Sequence, residues 1–110
     1  MSDCIFCKIA NHEIPTTPVF ENDKVIAFND LNPQAPTHIL VIPKQHYASV
    51  KDINNLSIMQ DLFDAIQQIT EKLNISDFRT VINTGSEAGQ TVFHLHIHIL
   101  AGRPLLWPPG

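Results

Sequence analysis

The sequence predicts an α+β domain. Several short runs of β-branched and apolar residues read as strands. One stretch, from about Asn55 to Leu73, instead repeats its apolar residues at spacings of three and four. Two strand-like runs are separated only by Asn22-Asp23, which reads as a hairpin. Together these predict about five mostly antiparallel strands with one long and one short helix. The 110 residues fit a single domain, 1–110, with 102–110 as a C-terminal tail.

Taken in order, Cys4-Ile-Phe-Cys-Lys-Ile-Ala10 predicts one or two helical turns with Asp3 as N-cap. Val19-Phe-Glu21 and Lys24–Phe28 form the hairpin. Asp30–Pro36 is a loop, because two prolines and an Asn-Pro step exclude regular structure. Thr37-His-Ile-Leu-Val-Ile42 is nearly all apolar and predicts a central strand buried on both faces. The long helix places Met59, Leu62, Phe63, Ile66, Ile69 and Leu73 on its apolar stripe. Its start is either a capping box of Ser57 with Gln60 or an earlier cap at Asn54 or Asn55. Phe78–Asn83 is a further strand, and Thr84–Gln90 a polar loop holding two of the four glycines.

The formal net charge is -4 and there is no basic run, which argues against a nucleic-acid-binding protein. An anionic small molecule remains compatible, since backbone N–H groups and imidazoles can hold phosphate. Cys4 and Cys7 are too few and too close for a disulfide framework. No secretory signal opens the chain, and no apolar run reaches the roughly 20 residues a membrane helix needs. The cytoplasm is the expected compartment, with no membrane partner.

Thr91-Val-Phe-His-Leu-His-Ile-His-Ile-Leu100 organises the chemistry. As a strand it would turn Phe93, Leu95, Ile97 and Ile99 one way and His94, His96 and His98 the other. Three imidazoles on one apolar strand need partners, because each ring carries a donor and an acceptor. One use is metal. His-x-His can place two ligands on an ion, but the outer pair lies roughly 13 Å apart, so other ligands are needed. Cys4, Cys7 and His46 are available, and Cys-x-x-Cys with two histidines is a structural zinc set. The other use is nucleophilic attack on phosphorus. A neutral imidazole attacks through one nitrogen while an acceptor holds the other. The Gly85–Gln90 loop, Thr91 and Asn83 could donate to the developing negative charge.

Gly89-Gln-Thr-Val-Phe-His-Leu-His-Ile-His-Ile-Leu100 resembles the signature of the histidine triad (HIT) family. Cys4–Ile9, Asp30–Lys44 and the ending Trp107-Pro-Pro-Gly110 resemble its Hint branch, so the resemblance spans nearly the whole chain. It implies the HIT fold, with two subunits joining their five-stranded sheets into a ten-stranded one. It implies hydrolysis of purine nucleoside phosphoramidates (AMP linked through nitrogen to an amine) and of acyl-adenylates, without a catalytic cofactor. His96 would be the nucleophile, forming a nucleotidyl-histidine that water cleaves. The carbonyl of His94 would hold the other nitrogen of His96, His98 would contact phosphate or ribose, and His38 would lie close by. Asn83, Gly89 and Thr91 match phosphate and leaving-group contacts, and Asp30 the ribose-binding carboxylate. Ile5, Phe6, Phe28 and Leu31 match the purine slot. Trp107 matches a tail residue that reaches the partner subunit's site. Some bacterial members bind zinc through residues that correspond to Cys4, Cys7, His46 and His94, and all are present here.

Each of these residues also has a plainer reading. Ile5, Phe6, Phe28, Leu31 and His38 would be core, Asp30 a turn former, Asn83 a strand end, Trp107 a stray aromatic, and the cysteines small buried residues. Two other functions compete with the hydrolase: a purine nucleotide-binding module with little turnover, and a dinucleoside polyphosphate hydrolase. Intact His96, His98, Asn83 and Thr91 favour the hydrolase over the module, and the tail with the Pro33–His38 loop favours the Hint branch over the other.

Overall fold

A computed structural model describes residues 3–110. Strands β1 (Phe20–Glu21), β2 (Val25–Asn29), β3 (Thr37–Pro43), β4 (Arg79–Val81) and β5 (Ile97–Ala101) form one sheet in the order β1-β2-β3-β5-β4. Every neighbouring pair is antiparallel. Helices α1 (Ile5–Ala10) and α2 (Ser57–Lys72) complete the α+β fold. Among the described residues no helix is long and apolar enough to cross a membrane.

The β1–β2 hairpin turns where the sequence places it. Asn22 Oδ1 accepts from the N–H groups of both Lys24 and Val25 at 2.9 Å, the local bond that makes Asn a turn former. β3 is central and buried on both faces. Its Ile39 and Val41 pack with Val25, Ala27, Ile97 and Ile99 under Leu62, Ala65, Ile66 and Ile69 of α2. Its Leu40 and Ile42 pack with Ile26 and Phe28 under Phe6, Ile9 and Ala10 of α1. Each fully buried aliphatic side chain contributes about 1.5–3 kcal/mol of transfer free energy. By alternation, His38 and His98 share this second face, beyond the area that α1 covers.

Several details differ from the sequence reading. The cap of α1 is Cys4, whose Sγ accepts from the Cys7 N–H, and not Asp3. Ser57 and Gln60 form no capping box; Leu56 is the cap position, and Asn55 Oδ1 accepts from the Ser57 N–H instead. The buried stripe of α2 runs through Ile58, Leu62, Ala65 and Ile69, so Phe63 and Leu73 stay largely exposed. β4 is shorter than Phe78–Asn83.

The largest difference lies in the histidine stretch, which becomes a strand only at Ile97. Val92, Phe93 and His94 bend instead, and Phe93 is exposed while Leu95, Ile97 and Ile99 enter the core. The cause is Pro43. The β3–β5 register pairs Val41 with Ile97, so the next hydrogen-bonded pair in line would be Pro43 with Leu95. Lys44 donates toward β2, which turns the backbone groups of Pro43 toward β5. Proline has no N–H to give there, so the ladder stops. The free Pro43 carbonyl accepts from His94 Nε2 at 2.8 Å, and the Leu95 N–H bonds the Tyr47 carbonyl at 2.6 Å.

Candidate functional site

The end of the ladder sends the three histidines to different neighbours. His96 and His98 line a cavity of about 550 Å³ on the second face of the sheet. Ile5, Phe6, Phe28, Asp30, Leu31 and Thr91 line it too. So do Ile9, Ile14, Pro15, Thr16, Thr17, Leu40 and Val92, which the sequence reading did not single out. Ile5 and Leu31 are exposed at its rim, whereas Phe6 and Phe28 are buried in its wall. A larger depression, about 780 Å³, lies between residues 74–79 and 101–105 and has no histidine or cysteine in its lining.

The protons of the histidines can be placed from their partners. His38 Nδ1 accepts from the Gln34 N–H at 3.0 Å. The proton of the neutral ring is therefore on Nε2, which faces His98 Nδ1 at 2.9 Å and Asp30 Oδ2 at 3.3 Å. His98 Nδ1 is then an acceptor, and its own proton sits on Nε2. That nitrogen is buried and has no partner among the described residues. Burial, reinforced by His96 and His38, pushes the pKa of His98 down to about 4. In His96 the Nδ1–H donates to the His94 carbonyl at 2.7 Å, leaving Nε2 as the lone-pair nitrogen of a ring that lines the cavity. A lone pair on His96 and a buried N–H on His98 thus stand side by side, with ring centroids 5.0 Å apart.

His94 points elsewhere. Its Nε2–H is held by Pro43, so its lone pair is on Nδ1. Nδ1 lies 3.1 Å from His46 Nδ1, 3.4 Å from Cys4 Sγ and 3.5 Å from Cys7 Sγ. In a tetrahedral zinc site with two thiolates and two imidazoles the ligand atoms lie about 3.3–3.8 Å apart, from N···N at the short end to S···S at the long end, and these distances fall at or just under that spacing. The Pro43 carbonyl supplies the outer hydrogen bond that metal-ligating histidines need. Burial lowers the pKa of His94 to about 4, keeping its lone pair free, and raises that of the Cys7 thiol, whose proton a cation would have to displace. The four residues therefore fit zinc. Asp30, His38 and His98 also converge, but there the lone pair of His38 is taken by the Gln34 N–H. That second cluster is a chain of hydrogen bonds and not a ligand set.

Asn83, Gly89 and Trp107 do not line the cavity of the single chain. Gly89 has φ +99° and sits against the Asn83 amide. The N–H groups of Gly85, Ala88, Gly89 and Gln90 bond within their own loop. Buried Gln90 ties that loop to the Ala48 and Val92 carbonyls, a role with no signal in the sequence beyond a polar residue beside the triad. Trp107 is exposed on a tail fixed by Arg79, which donates to the carbonyls of Leu105 and Leu106.

This geometry has relatives. Residues 3–104 match the family model described as scavenger mRNA decapping enzyme C-term binding. A 14 kDa zinc-binding protein of Zea mays is 43% identical, over 99% of this chain and 89% of its own. An adenylylsulfatase HINT1 of Arabidopsis thaliana is 41% identical, over 99% of this chain and 78% of its own. Among solved structures, a HIT family hydrolase from Legionella pneumophila superposes with a TM-score of 0.93 at 43% identity, over 98% of this chain and all of its own. A histidine triad protein from Clostridium difficile superposes with a TM-score of 0.92 at 52% identity, over 96% of both chains. With a sequence match of this length, the same five-stranded fold and three histidines on the segment entering β5, the chain belongs to the histidine triad family.

Proposed function

We propose that the chain is a hydrolase of purine nucleoside phosphoramidates and acyl-adenylates, working through a nucleotidyl-histidine on His96. The observation that carries this reading is the pairing of the His96 lone pair with the buried, unpaired N–H of His98. A buried donor without a partner costs about 1–3 kcal/mol, and a phosphate oxygen would satisfy it. The cavity volume suits one small ligand, its Phe6–Phe28 wall suits the face of a base, and Asp30 at its edge suits ribose hydroxyls. The names of the relatives, a hydrolase and an adenylylsulfatase, support the same class.

His96 Nε2 attacks the α-phosphorus while the P–N bond breaks. The amine leaves with that electron pair and takes up a proton from solvent, to which the water of the second step returns one. The N–H of His98 holds a phosphate oxygen as charge builds on it. Water then attacks phosphorus, the bond to His96 breaks, and AMP leaves. Thr91 and Asn83 are proposed to contact the phosphate or leaving group, with Gly89 shaping the loop between them. The test is turnover of an adenosine phosphoramidate. His96→Ala should lose most of the rate, several orders of magnitude, and mass spectrometry of the quenched wild-type reaction should find AMP on His96. Near-normal turnover in the variant would sink the mechanism.

Two further features belong to this reading. Cys4, Cys7, His46 and His94 hold a structural zinc, supported by their donor geometry and by the zinc-binding relative. The chain pairs into a dimer that joins two sheets and brings the Trp107 tail to the partner's site. Support comes from β4, a short strand at the sheet edge, and from the anchored, exposed tail.

A further inference from the structure

We infer that the Cys4–Cys7–His46–His94 cluster sets the aim of His96, making it a positioning centre for the nucleophile as well as a clip on α1. This rests on the reading of His96 as nucleophile and of the cluster as a zinc site. Two separate contacts lead from the cluster to the His96 ring. The first runs through His94, which offers its ring to the cluster and its carbonyl to His96 Nδ1 at 2.7 Å. That bond fixes which nitrogen of His96 carries the lone pair. The second runs through Phe6, which lies between the two cysteines in the chain. Its ring meets His96 edge to face at 5.2 Å and 90°, and meets His94 at 5.9 Å and 73°. That contact limits the tilt of the His96 ring plane.

Both contacts matter because the backbone here is irregular. Residues 92–96 lie outside the β3–β5 ladder, so no row of backbone bonds places His96. The segment is held by Gln90 on the Val92 carbonyl, the Pro43 carbonyl on His94, the Tyr47 carbonyl on Leu95, and the cluster. A cation on the four side chains would tie the start of α1, the turn after β3 and the His94 bend to one point. A nucleophile on such a segment is only as well aimed as its anchors. A displacement near 1 Å costs on the order of 100-fold in rate.

His46 is the residue to change, because it belongs to the cluster and does not line the cavity. Wild type, His46→Asn and His46→Cys would be compared, all below their melting temperatures. The readouts are zinc content, the ¹⁵N spectrum of the His96 ring, AMP affinity, and kcat and KM for an adenosine phosphoramidate. Wild type should hold one zinc per chain and show a single His96 tautomer. His46→Asn should lose zinc, show mixed tautomers and lose on the order of 10–100-fold in kcat, a larger loss than in AMP affinity, which changes only through the Phe6 wall of the cavity. His46→Cys, which restores a ligand, should recover all three. Should His46→Asn fail to fold, chelator-treated wild type takes its place. A zinc-free, folded protein with one His96 tautomer and unchanged kcat would overturn the inference, as would wild type without zinc. If wild type has no turnover, the proposed activity fails, and the ¹⁵N spectrum still decides whether zinc orders the His96 ring.

Discussion

At the scale of the residue, the histidines are distinguished by what takes their second nitrogen. Pro43 takes that of His94, the His94 carbonyl that of His96, and His38 that of His98. The repeat of imidazoles was legible in the sequence, and the role proposed for His96 comes from the resemblance. The partner of His38 was not, because it is the backbone N–H of Gln34 and any residue but proline supplies one. The burial of His98 has a measurable consequence. Its folded pKa, about 4, lies below the ordinary 6.5. Between those values the unfolded chain binds a proton that the folded chain refuses. The stability contribution of this residue is therefore level above pH 6.5, falls as pH drops from 6.5 to 4, and is level again below. Ring titration by NMR should place the His98 midpoint well under 6.5, and His98→Gln should flatten its share of the stability loss across that window. A His98 midpoint at or above 6.5 would contradict the buried, unpaired geometry.

At the scale of the element, the turn that leaves β5 reaches back to the site. Gly102 has φ +98°, and a Cβ there would lie 2.8 Å from Pro36 Cβ. Arg103, next in the chain, donates from Nε to the Gln34 carbonyl at 2.9 Å. The turn thus presses on the loop that gives His38 its N–H. Gly102→Ala should cost about 1–3 kcal/mol from the positive φ, with overpacking added. Thermal unfolding should show a loss on the order of 10 °C, and an unchanged midpoint would mean the loop yields freely. The helix and hairpin periods showed these elements in advance. The early end of the histidine strand did not show, although Pro43 was visible, because its effect depends on which side of β3 its missing N–H faces.

At the scale of the molecule, one sheet carries two centres on one face, a cavity and a thiol–imidazole cluster, linked by His94. The proposed pairing of sheets across a dimer would add a further level of organisation. Light scattering at micromolar concentration should give twice the chain mass of 12.3 kDa, and a monomer would remove the ten-stranded sheet and the shared tail together. Deleting 107–110 should leave that mass intact and alter the preference among amine leaving groups; identical preference would take Trp107 out of the site. The sequence by itself determined the α+β class, the central strand, the amphipathic helix and the residue types that meet in the candidate site. Periodicity and side-chain chemistry are local properties, so they survive without coordinates. Only the tertiary structure decided that the triad divides between two neighbourhoods, that Gln34 and Pro43 set the tautomers, and that Phe6 touches both centres. Those outcomes depend on which backbone groups face each other across strands, and a chain reads that only once it is folded.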